Sequence, residues 1–134
     1  MRSCNAIRYP LLAAALTALM LAAAAPALAA DPLGLWKRPS TGTEIEFSDC
    51  GGNLCAKIVK VTDVAKQSTV GTVIMGGATK TGDATWEGDL LNTEDGKTYS
   101  GVVTLVDATH LKLEGCGLFG LVCKGETWDK VVAP

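Results

Sequence analysis

A single histidine, His110, stands in the whole 134-residue chain, which leaves little room for chemistry that needs an imidazole base. Alternation along its segment puts it on a polar face with Lys112 and Glu114. There water solvates the ring, whereas nucleophilic catalysis needs a histidine oriented by a third group inside a shielded cleft. Paired carboxylates for glycosidase-like work are equally scarce, because Glu44 and Glu46 share one solvated face and Asp49 and Asp95 sit in turn signals. No Gly-rich phosphate loop leads into a helix, since residues beyond the leader show no helical stripe longer than two turns. Lys and Arg are scattered, and the net charge is −2. Without a cationic stripe to displace phosphate counterions, nucleic acid is not an expected partner. The chain is therefore read as a non-enzyme, with no catalytic residue, no metal and no cofactor expected.

What the chain does have begins with its leader. Arg2 and Arg8 precede an apolar run from Leu11 to Ala25, and Ala27-Leu28-Ala29 offers small residues to a signal peptidase. The apolar run is shorter than the ~20 residues of a membrane span. Residues 1–29 are thus expected to be a cleaved signal peptide, and residues 30–134 a single exported domain, periplasmic or secreted, with no stable membrane insertion. Cys4 lies in the charged start, well ahead of the cleavage site, so it cannot serve as a lipoprotein cysteine.

Four of the five cysteines remain after cleavage: Cys50, Cys55, Cys116 and Cys123. An even number in a short exported domain reads as two disulfides. Taking Gly52-Asn53 as a two-residue turn would place Cys50 opposite Cys55, and Cys116 and Cys123 likewise flank one loop. The local pairs are favoured, and crossed pairing between the two hairpins is the alternative. The spacings do not fit a zinc site built on closely spaced cysteine pairs.

Periodicity is that of strands nearly throughout. Ile45 and Phe47 alternate with Glu44, Glu46 and Ser48; Leu111 and Leu113 alternate with His110, Lys112 and Glu114. Trp86, Gly88 and Leu90 share one face, as do Tyr99, Gly101, Val103 and Leu105. Weaker strands are expected at 35–38, 54–61, 72–79 and 125–132, and Gly76-Gly77 reads as a bend or bulge. Turn signals recur at short intervals, which makes chain neighbours spatial neighbours. About eight such strands predict an all-β, up-and-down antiparallel β-barrel, because closure removes the exposed edges. Residues 62–71 form the one longer polar loop, a candidate flap.

Gly34-Leu35-Trp36-Lys37 resembles the Gly-x-Trp motif of lipocalin and calycin barrels. In those proteins the Trp closes the barrel floor beneath a basic side chain from the last strand, for which Trp128 and Lys130 mark the counterpart segment here. A fuller resemblance joins Asp31-Pro32-Leu33-Gly34-Leu35-Trp36, residues 49–59, residues 95–101, Gly115-Cys116 and Thr127-Trp128. Through these the chain is similar to a family of uncharacterised exported bacterial proteins, the domain of unknown function DUF2147. The chain departs from that pattern after Val61, which is shorter, and at Thr93, where a turn proline is common. The resemblance implies a lipocalin-like barrel and export, and no activity.

An eight-stranded barrel is either filled by side chains or holds one small ligand. Trp36, Trp86, Trp128 and Tyr99 are candidate ligand contacts, although tryptophans also pack cores and seal ends. Gly88, Gly101 and Ala56, if inward, leave room for a pocket. The expected function is a binding module for a small apolar ligand. The alternative is an envelope protein interaction or inhibitor module working through exposed loops, with Phe119 at a hairpin tip as anchor.

Overall fold

The computed structural model describes residues 31–132, and these build one closed barrel of eight antiparallel strands in chain order. The strands are β1 (Gly34–Lys37), β2 (Glu44–Cys50), β3 (Asn53–Lys60), β4 (Val73–Gly82), β5 (Thr85–Leu91), β6 (Thr98–Asp107), β7 (His110–Gly117) and β8 (Val122–Lys130). The meander expected from the alternation is thus the architecture, and all eight segments are strands. The leader and its cleavage site lie outside the described residues.

Alternation fixes which side chains enter the barrel. Ile45 and Phe47 of β2, Leu54, Ala56 and Ile58 of β3, and Leu111 and Leu113 of β7 are all buried, while their chain neighbours are not. Each Leu, Ile or Phe so buried contributes about 1.5–3 kcal/mol. A one-residue slip of any strand would turn that whole set outward.

The two ends of the barrel differ in kind. At one end, the floor, tight turns join β2 to β3, β4 to β5 and β6 to β7, and residues 31–33 run across it. Trp36 is fully buried there, its indole Nε1 donating to the Pro32 carbonyl at 2.8 Å. Lys130 Nζ lies 4.7 Å from the Trp36 ring centroid and donates to the Leu33 carbonyl, so the cation stacks on the indole while its proton satisfies the crossing chain. Gly34 is required by this closure: its φ is +117°, and a Cβ there would fall 2.6 Å from Lys130 Nζ. The opposite end, the mouth, carries the longer connections at 38–43, 61–72, 92–97 and 118–121.

Local details differ from the reading of spacing alone. The β2–β3 turn is Gly51-Gly52, with φ of +72° and +89°, not Gly52-Asn53. Two consecutive positive-φ residues make the tight turn whose twist matches the flanking strands, and moving the turn by one residue moves each cross-strand partner by two. Cys50 pairs with Asn53 and Cys55 with Ser48, which sets the two cysteines diagonally rather than opposite. They are joined nevertheless, at a Cα–Cα distance of 5.8 Å. Cys116 and Cys123 are direct cross-strand partners, 4.0 Å apart at Cα and joined by the second disulfide. Both local pairs are therefore correct, and crossed pairing is excluded.

Gly77 is the bulged residue of β4, skipped between the pairs Leu54–Ala78 and Cys55–Gly76. Within 61–72 a short 3₁₀ helix spans Val64–Thr69, capped by Asp63, whose carboxylate accepts from the Ala65 N–H at 2.9 Å. Gly88, Gly101 and Ala56 do sit on the inward faces, but the room they leave is taken. A Cβ on Gly101 would meet Leu90 Cβ and Met75 Cε, each at 2.8 Å. The middle of the barrel is packed solid.

Candidate functional site

Open space lies between that packed middle and the mouth. It is a cavity of about 670 Å³. Its walls are apolar, formed by Ile45, Ile58, Ile74, Leu90, Leu113 and Trp128, each placed inward by strand alternation. Trp128 is held edge-on by Phe47, with ring centroids 6.3 Å apart.

The rim is charged and internally paired. Arg38 lies 3.3 Å from Glu126 and 3.8 Å from Glu94, and Lys66 of the 3₁₀ helix lies 3.3 Å from Glu94. Glu126 also accepts from the Ser40 N–H at 3.1 Å and the Ser40 hydroxyl at 2.8 Å. Partial burial works to raise the Glu126 carboxyl, but the two Ser40 hydrogen bonds and the Arg38 guanidinium outweigh it, and it sits below its ordinary value. The Tyr99 hydroxyl donates to Asp95. That bond, then the Lys97 N–H, holds the Asp95 carboxyl down, and the same bond pushes the Tyr99 hydroxyl up. Both shifted mouth carboxyls move downward, whereas a general acid needs one held up.

The four aromatic candidates are divided by this geometry. Trp128 and Tyr99 line the cavity. Trp36 is sealed in the floor beneath Lys130. Trp86 stands at the floor end beside Asp31, Leu33 and Asn53, with Lys80 Nζ 5.7 Å from its ring centroid. Phe119 is fully exposed at the tip of the β7–β8 loop, and Leu118 and Leu121 beside it are exposed as well. The Cys116–Cys123 disulfide ties the base of that loop.

His110 is exposed at the floor, between Asp107 (2.9 Å at Nδ1) and Asp129 (3.6 Å at Nε2). The Thr109 hydroxyl and the Asp107 carboxylate both approach the same ring nitrogen, Nδ1, at 3.1 and 2.9 Å. A relay needs a carboxylate hydrogen-bonded to the nitrogen opposite the hydroxyl, and Asp129, the carboxylate on that side, stands at 3.6 Å from Nε2, beyond hydrogen-bond reach. Among the described residues no cluster of three or more His, Cys, Asp or Glu could hold a metal ion, and no helix is long and apolar enough to cross a membrane.

The rim charges were not singled out from sequence, although a signal for them existed. Counting by twos from Trp128 along β8 places Glu126 and Lys124 on the same inward face, and charges at inward positions of a barrel strand mark a solvated cavity. Arg38, Lys66 and Glu94 left no comparable signal, because loops carry no period.

The family described as an uncharacterised protein conserved in bacteria, DUF2147, matches residues 34–130. Nothing matches among curated proteins. Among solved structures, the chain is similar to protein HP1028 from the human pathogen Helicobacter pylori, which is described as belonging to the lipocalin family. That likeness has a TM-score of 0.62 at 19% identity and covers 77% of this chain and 84% of the other. The barrel is lipocalin-like.

Proposed function

We propose, from the premise that the chain belongs to the DUF2147 family of proteins conserved in bacteria, that its barrel is a non-enzymatic module that binds a small apolar ligand outside the cytoplasm. The observation that carries this reading is the open cavity of about 670 Å³ with apolar walls. That volume falls within the roughly 300–1,000 Å³ of small-molecule sites. Trp128 and Tyr99 are the aromatic contacts to the ligand, and Trp36 and Trp86 act in the floor. Likeness to a protein described as a lipocalin supports the reading at the level of fold. Export, to the periplasm or beyond, is supported by the leader at residues 1–29 and by two disulfides, which persist in oxidising compartments.

Native mass spectrometry of protein purified without detergent, followed by titration with the uncharged dye Nile red, tests the proposal. The expected result is a co-purifying small molecule or saturable dye binding that quenches Trp128. Protein that is always empty and never binds dye would sink it.

A second reading has its own observation. Leu118, Phe119 and Leu121 are exposed together at one loop tip, and contiguous exposed apolar residues mark interaction sites. Here the module acts on an envelope protein through Phe119. Phe119→Ser should abolish capture of one specific partner from periplasmic extract while leaving dye binding intact.

A further inference from the structure

Beyond the existence of a ligand, the rim defines its headgroup. The cations that line the cavity are Arg38, Lys66 and Lys124. Arg38 is engaged by Glu126 and Glu94, and Lys66 by Glu94. Asp95 is occupied by the Tyr99 hydroxyl and the Lys97 N–H, the latter at 2.8 Å. Tyr99 has thereby spent its one donor. Lys124 is left over: among the described residues it makes no ion pair and no side-chain hydrogen bond.

Its position is not that of an ordinary surface lysine. Strand alternation places it inward on β8, two residues from Glu126 and four from Trp128. Its cross-strand partner is Gly115, which has no side chain, and the space above Gly115 opens toward Leu90 and Tyr99, 3.6 and 3.7 Å from where a Cβ would stand. The lysine stem can follow the apolar wall while its ammonium stays at the wet mouth. A ligand filling the cavity covers that ammonium and strips part of its water. A neutral headgroup gives nothing in return, whereas an anion restores the lost interaction.

We propose that the cavity takes a single-chain amphiphile with an anionic headgroup, the chain lying on Ile45, Ile58, Ile74 and Leu113 and the anion paired with Lys124 at the mouth. This rests on the binding reading above. A carboxylate and a phosphate monoester share the required chemistry.

The test is displacement of Nile red at pH ~8, where a free carboxylic acid is ionised, by dodecanoic acid, dodecyl phosphate, dodecan-1-ol and dodecylamine. One or both anions should bind about three- to tenfold tighter than the alcohol, the scale of a half-exposed ion pair. Which anion wins tells carboxylate from phosphate, and the margin should shrink as salt is raised. Lys124→Met should erase the margin while leaving alcohol affinity within about twofold, and Lys124→Arg should keep it. Equal binding of anions and alcohol, tightest binding of the amine, or a margin that survives Lys124→Met would overturn the proposal while leaving the binding reading intact. Failure of the dye and every amphiphile to bind overturns both.

Discussion

Glu126 faces inward from β8 and accepts from both the N–H and the hydroxyl of Ser40, at 3.1 and 2.8 Å, beside the Arg38 guanidinium at 3.3 Å. Backbone pairing between β1 and β8 is confined to Trp36–Lys130 and Lys37–Asp129, so above that short seam the barrel is closed by this side chain. Glu126→Ala should cost about 1–3 kcal/mol, the penalty for abandoning charge-assisted hydrogen bonds. Urea unfolding checks the cost, and faster amide exchange in β1 and β8 locates it. The pH dependence has a definite sign. Because the Glu126 carboxyl is depressed in the fold, its stabilisation is complete above its ordinary value of 4.5 and is lost as pH falls through the lower folded value. Glu126→Gln should therefore flatten the acid limb of the stability curve below about pH 4.5. Asp107, like Glu126 and Asp95, is a depressed carboxyl. The Thr109 N–H, then His110, lower it from 3.8 to about 2, so its carbon-13 titration midpoint should lie near that lower value.

Among the elements, the two disulfides each close a short hairpin loop, with sequence separations of 5 and 7. Loop-closure entropy for rings this small is worth roughly 2 kcal/mol apiece. Replacing either pair by serines should lower stability by about that much and leave a folded barrel with unchanged far-ultraviolet circular dichroism. Loss of the β signature would mean that the core cannot hold the meander unaided. Proteolytic mapping of the oxidised protein should recover Cys50 linked to Cys55 and Cys116 linked to Cys123. Packing between β5 and β6 sets a sharper limit. Gly101 lies under Leu90 and Met75, and Gly101→Val should cost about 1–3 kcal/mol through overpacking. Urea unfolding checks the cost, and because Leu90 also walls the cavity, dye affinity should change with it.

For the molecule as a whole, the floor and the mouth answer to different physics. Trp36 is the largest fully buried side chain, and Trp36→Ala should cost about 3–5 kcal/mol, a large share of the roughly 5–15 kcal/mol that holds a domain together. Differential scanning calorimetry should show the melting temperature fall steeply or the transition vanish. At the mouth a bound ligand should raise the melting temperature in proportion to the logarithm of its concentration. Strand order, the inward faces and the local cysteine pairs were legible in the sequence, because a period of two and short connections are properties of neighbouring residues. The β2–β3 turn was displaced by one residue, since Gly51, Gly52 and Asn53 all tolerate positive φ and only the pairing of both strands chooses among them. Sequence by itself also determined that the chain carries a single histidine, His110, on a polar strand face. Only the tertiary structure decided where the empty space lies, that Trp128 and Tyr99 border it while Trp36 and Trp86 do not, and that Lys124 in its lining makes no ion pair among the described residues. Those are sums over side-chain volumes and charges brought together from strands and loops far apart in the chain, and no local pattern contains them.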